Sequence, residues 1–469
     1  MMRRERGGAI SFFGEAGMAL VCAFFFVCAG CGGRTPLLVP HPPGQEERSQ
    51  RKDFALAFID TVFDSAAAPQ EPALAPAAVS RQVPAGICPV RTSHVRVLLQ
   101  RTTDACTIYL VGKGLLRAPG KTNNHVLQGR VTVKAHGRGG DVLVDRHAVS
   151  LPCTVSATST NSYVEFDGTS YRGAVILIQG RREGTFGIVN YCNMESYLQG
   201  VVPREIGHPG EDALEAVKAQ AVAARTYAYK RLAVRHYALY DLHTGVADQV
   251  YGGVTAESAL GNRAVQATAG MVLMYRDSLV HAYYHSTCGG STDNIETVWN
   301  KSAQPYLVAF ADTNTDGTCF CTASRYFTWE TTWDTDRLSA IAHRYAKRYY
   351  PHNACTGTIT GMNVESRTPG GRVARLRITT TKDTYHYGGD KIRFILRRDE
   401  QGHPIMRSAL LTHIDVSRRT VIIRGRGYGH GVGMCQVGAI ARARAGQSFE
   451  GILQAYYPDT HLAQVEEKG

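Results

Sequence analysis

Long hydrophobic runs are scarce in this chain. The apolar stretch Ala16 to Gly30 is too short to cross a bilayer comfortably, so the sequence offers no ordinary membrane-spanning helix there. No basic block interleaved with aromatics occurs, which argues against a nucleic-acid reader despite a net charge of +12. The glycine-dense stretch Gly425 to Gly438 lacks the Lys-Ser/Thr of a P-loop, which argues against nucleotide binding. No fixed-period repeat is found, so the chain is not a solenoid. What remains is a globular composition, 44% hydrophobic over 469 residues, enough for one large domain or two to three smaller ones. The basic balance suits an anionic polymer or lipid headgroups as partner.

The N-terminus reads as an export signal. Arg3, Arg4 and Arg6 form the positive region, and the apolar run ends in Cys28-Ala29-Gly30-Cys31. Small residues before a cysteine resemble a bacterial lipobox over residues 1–31, with Cys31 as the lipidated residue; a plain secretory signal is the alternative. Residues 32–85 are rich in Pro, Ala, Gln and Glu and read as a disordered tether, with one apolar patch at Phe54 to Phe63. Nine of the 12 cysteines follow Cys31, an odd number in an exported chain where disulfides can form.

From residue 86 to 186 the chain alternates short β-branched runs with Gly and Asn/Asp clusters, which predicts strands at Val95 to Leu99, Ile108 to Val111, Val126 to Val133, Val142 to Val144, Tyr163 to Phe166 and Ala174 to Ile178. Helical spacing then appears from about Glu211, with Leu214, Val217, Ala221, Ala224, Ala228 and Leu232 three or four residues apart. Its alanines allow close packing, so the helix is expected to be central. Further helices are predicted at Ala256 to Thr268, Leu338 to Tyr349, Lys391 to Leu396 and Met434 to Ala445, with a last one capped by Ser448. Met271 to Tyr275 and Val280 to His285 read as a hairpin, and Thr358 to Ile423 as strands. The expected fold is α/β of the α+β type: β-rich segments flank a central helical motif, with a groove between lobes, and residues 464–469 are a tail.

Ahead of the central helix, YLQGVVPREI places Glu205 in a predicted loop among apolar residues. Partial desolvation there raises a carboxyl pKa and keeps it protonated, the state a general acid requires; a surface carboxylate near a helix start is the plainer reading. YLQGVVPREI and ALEAVKAQAVAARTYA, together with ADQVYGG (from Ala247), YYHSTCGGST, VWN and PYL (Tyr283 to Leu307), and GRGYGHGVGMCQVGA and ILQAYYP (Gly425 to Pro458), closely resemble the stage II sporulation protein D (SpoIID/LytB) family. The blocks run in family order over about three-fifths of the chain. The resemblance implies a catalytic core over 187–463 and either a peptidoglycan lytic transglycosylase or an amidase enhancer. It places the family's catalytic glutamate at Glu205, with Ile206-Gly207 standing where the family has Met-Pro. Peptidoglycan glycan strands, and a cell-wall amidase for the enhancer branch, are the implied partners, and a lipid anchor would hold the exported chain at a membrane.

Other residues are candidates around that glutamate. Asp248, Gln249 and Tyr251 carry groups suited to sugar hydroxyls and rings, or else hold their own loop. Arg225 has the helix's small residues around it and is expected to orient Glu205 or Glu195 or to brace the core. His430 and Gln436, with Ser286, are expected to position substrate; a structural histidine in a tight turn is the alternative for His430. Glu195 matches a family position inside a short helix and reads as structural. His285-Ser-Thr-Cys288 and Cys319-Phe-Cys321 offer four zinc-type ligands in two close pairs, and a disulfide from Cys288 to Cys319 or Cys321 is the competing expectation. Some family members use a cysteine/histidine zinc site near the catalytic groove.

Overall fold

The computed structural model describes residues 86–467, except 119–123, 138–139, 159–162, 236–237 and 399–404. The signal, Cys31, the tether and the Phe54 to Phe63 patch lie outside the described residues. Strand patterning is met in the first part. His125–His136 buries Val131 and Val133 while alternate neighbours face out, and His94–Thr103 buries Val95 and Val97 in the same way. These strands join an eleven-stranded sheet, in which His94–Thr103 lies beside Phe186–Asn193 and Ala105–Arg117 pairs with His125–His136. Phe186–Asn193 therefore continues the sheet built by the preceding residues.

That strand feeds helix α1, Met194–Ile206. Asn193 caps it by accepting from the Glu195 N–H, and Gly207, at φ 79°, ends it. The sequence had predicted only a short turn here followed by a loop. Pro203 sits in the last turn, where α1 survives the missing donor because its apolar face is packed. Glu205 is thus a helical residue. Gly200 is required on the same helix: a Cβ there would come within 2.7 Å of the Gly253 carbonyl and the Tyr251 ring.

A 3₁₀ turn, Glu211–Ala213, leads into α2, Leu214–Val234. The expected amphipathic helix is instead buried on nearly every side between Ala216 and Tyr229. Its neighbours explain this: α1, the strand Met271–Tyr275, α3 (Ala259–Ala267) and two C-terminal helices all pack on it, and alanine leaves them room. After α4, Ile295–Trp299, the chain forms a second lobe with its own core of Trp329, Trp333, Leu338, Leu376, Ile378 and Ile423. Two three-stranded sheets, α5 (Thr335–Tyr349) and the short α6 (Ile392–Ile395) build it. The chain returns through the two-residue strand Met434–Cys435, parallel to Tyr284–His285, into α7 (Gln436–Arg444) and α8 (Phe449–Tyr456). Val280 to His285 is not a hairpin arm as predicted; Ser278–Leu279 closes the turn and Tyr284–His285 pairs elsewhere. The last strand, His461–Glu467, lies between Gly86–Val90 and Met271–Tyr275, so the expected tail from 464 is part of a sheet.

Candidate active site

The last turn of α1 brings Glu205 against residues from three distant segments. Val250 N–H donates to its Oε1 at 2.6 Å, and the side chains of Tyr284 and Gln436 also hydrogen-bond it. Burial raises the carboxyl to about 7, against the pull of those three donors toward the ionised form. No carboxylate is among the groups that shift it. The partners are themselves fixed. Gln249 Nε2 donates to the Tyr284 hydroxyl at 2.9 Å, and Gln249 Oε1 accepts from Tyr197 on α1 at 3.1 Å. Gln436, the first residue of α7, reaches Gln220 on α2 at 3.3 Å. A half-exposed wall of rings adjoins this network: Trp299 lies 4.7 Å from His430, and Tyr283 lies 4.8 Å from Trp299. His430 accepts the Val432 N–H on Nδ1, and burial lowers its imidazole to about 4, so the ring stays neutral near neutral pH.

Several expected sugar contacts face the interior. Arg225 is fully buried and clasps Glu195 through two bonds of 2.8 and 2.6 Å, while Gly270 N–H also donates to that carboxylate. It braces the core and does not orient Glu205. Asp248 is buried, paired with Arg231 at 2.9 Å and Arg235 at 3.3 Å, and accepts from Tyr227 and the His243 N–H. The loop is held by its own side chains. Tyr251 is 5% exposed and donates to Asn190 at 2.9 Å, which removes it from any substrate contact. Gln249 is 1% exposed and acts through Tyr284. Ser286 hydrogen-bonds Thr287 at 3.2 Å, and its carbonyl receives the Val437 N–H. Of the expected set, His430 and Gln436 stand at the site.

The sulfur ligands also regroup. The thiols of Cys288, Cys321 and Cys435 converge, all three within 4.8 Å of one another. His285 is outside that group: its Nδ1 bonds the Val432 carbonyl at 3.3 Å and its ring packs against His430. Cys319 is outside it too, with its sulfur beside Gly290. The expected ligand set is corrected because β-pairing aligns His285 with Cys435, which carries Cys435 to Cys288 from 147 residues away. All nine cysteines among the described residues are free thiols. Sequence reasoning missed Tyr284, Val250 and Cys435. Tyr284 and Cys435 lay inside the quoted blocks, but no spacing rule links them to Glu205 or to Cys288.

The stage II sporulation protein family matches residues 182–275, which hold α1, α2 and the Val250 loop. Over that span the chain carries the domain of the stage II sporulation protein family. An amidase enhancer of Bacillus subtilis is 32% identical over 332 residues, 65% of this chain and 45% of that protein, so the chain spans under half of it. Stage II sporulation protein D of the same organism is 29% identical over 293 residues, 58% of this chain and 75% of its own length. An uncharacterised protein of Brachyspira hyodysenteriae is 29% identical over 294 residues. Residues 317–433 match a separate domain family of unknown function, and this span takes in the second lobe.

Proposed function

We propose that this chain works on the bacterial cell wall as a peptidoglycan lytic transglycosylase with Glu205 as its single acid/base. The observation that carries the reading is a carboxyl raised to about 7 by burial, with three donors around it and no carboxylate partner. Ordinary glycoside hydrolysis uses two carboxyl groups. One suffices when the attacking hydroxyl belongs to the substrate. Protonated Glu205 gives its proton to the glycosidic oxygen between N-acetylmuramic acid and N-acetylglucosamine as the C–O bond breaks. The carboxylate so formed then takes the proton of the muramic 6-hydroxyl as that oxygen bonds to C1, which leaves a 1,6-anhydro end and a neutral Glu205. Tyr284, Gln436 and the Val250 N–H stabilise the carboxylate between the two steps. Trp299, Tyr283 and His430 offer ring faces on which sugar rings can stack. An exported chain anchored through Cys31 fits such a substrate.

Digestion of purified glycan strands, with products identified by mass spectrometry, tests the reading. Release of 1,6-anhydro-muramic ends by the wild type and not by Glu205→Gln is expected; products without the anhydro ring, or equal release by the variant, overturn it. A second reading is favoured by the amidase enhancer at 32% identity: the chain binds glycan and stimulates a separate amidase. No anhydro product together with amidase stimulation by both wild type and Glu205→Gln would establish that reading instead.

A further inference from the structure

We propose that Cys288, Cys321, Cys435 and Asp312 bind one zinc ion at a structural centre that ties the two partners of Glu205 together. All four side chains are fully buried. The three sulfurs lie within 4.8 Å of one another, with 3.4 Å between Cys288 and Cys321. Tetrahedral zinc with Zn–S bonds of about 2.3 Å places its sulfurs ~3.8 Å apart, so the cluster needs only small adjustments. Asp312 Oδ2 lies 3.4 Å from the Cys288 sulfur, outside the group of three mutually close sulfurs, and would draw in to supply the fourth donor.

The surroundings are those of thiolates. The Cys288 N–H and the Gly438 N–H both point at the Cys435 sulfur, at 3.2 and 3.3 Å, and the Gly290 N–H points at the Cys288 sulfur at 3.3 Å. Gly289 and Gly290, at φ 78° and 110°, make the tight turn that aims this last donor. Cys435 is the N-cap of α7, where the helix favours a negative group. Asp312 is oriented in turn: Arg442 donates to Oδ1 at 2.8 Å and Tyr456 donates to Oδ2 at 2.7 Å. Such outer partners fix a ligand's direction at metal sites. A disulfide explains less, since joining any two of the sulfurs leaves the third, and the Asp312 carboxylate beside them, without a role in the bond. With four protein donors and no open position, the ion would be structural rather than catalytic.

Its position gives it a task. Tyr284 and Met434 are paired, as are His285 and Cys435, and Gln436 follows Cys435 directly. Zinc at Cys288 and Cys435 would clamp the strand pair that presents Tyr284 and Gln436 to Glu205. This inference rests on the cysteine geometry alone and stands whatever reaction Glu205 performs.

The test is metal analysis and zinc X-ray absorption on the full chain, purified under reducing conditions and given zinc. One zinc per chain with three sulfur neighbours and one lighter atom is expected. Cys435→Ser should lose the metal, while Cys319→Ser and His285→Ala keep it. Because Cys435→Ser could fail to fold, the wild-type absorption spectrum decides independently. No bound zinc, a shell containing the Cys319 sulfur or the His285 imidazole, or equal loss of metal in Cys319→Ser overturns the proposal.

Discussion

The two ends of α1 each carry a glutamate, and the fold treats them oppositely. Glu195, in the first turn, receives Nε and Nη2 of the buried Arg225 and the Gly270 N–H. Glu205, in the last turn, receives only neutral donors, and burial raises its carboxyl to about 7. The same side chain on one helix is a brace at one end and a carboxyl raised to about 7 at the other. What separates them is the presence of a guanidinium. A charge partner compensates desolvation, whereas neutral donors compensate it only in part.

Removing the exchangeable proton is the strongest way to break the contrast. Glu205→Gln should cut release of anhydro products by about a hundred- to ten-thousandfold while the protein still binds glycan strands. Glu195→Gln should change the rate far less, and the reverse outcome would show that the two roles are swapped. Arg225→Met attacks the other end. Leaving Glu195 without its buried cation should lower stability by about 3 kcal/mol, the low end for a broken buried pair because Glu195 keeps some solvent contact. Denaturant unfolding measures this.

Tyr284→Phe sharpens the comparison more gently. Tyr284 stabilises the ionised form of Glu205, so its loss should raise that carboxyl further and move the alkaline limb of the cleavage profile to higher pH. The maximal rate should fall by less than about tenfold, the scale of one hydrogen bond. The smallest effect is on melting. Because folding raises the Glu205 carboxyl, its contribution to stability is fully present below the ordinary value of 4.5 and is lost as pH rises through about 7. Glu205→Gln has no such loss. The difference in melting temperature between variant and wild type should therefore shift in the variant's favour between about pH 4 and about pH 8. A constant difference would mean that Glu205 is not desolvated.

The second lobe shows why part of the fold escaped the sequence. Its helix Thr335–Tyr349 and strands from 359 onward were legible as elements, but their separate core was not. Trp329, Leu376 and Ile423 look like any core residues, and nothing local says which core they join. α2 was misjudged for the same reason. Apolar residues at helical spacing predicted one buried face, yet alanine, small enough to be buried without clash, filled the other faces as well.

Local order determined that Ser448 caps a helix, because that cap depends on groups a few residues away. The motif around Glu205 was also readable in order along the chain. Whether that carboxyl would be protonated was decided only by tertiary structure, since burial and the donors from Val250, Tyr284 and Gln436 arrive from other segments. The cysteines obey the same division. Spacing brought Cys288, Cys319 and Cys321 to notice, but strand pairing put Cys435 in the cluster and left Cys319 out, because ligand geometry is set by distance in space and not along the chain.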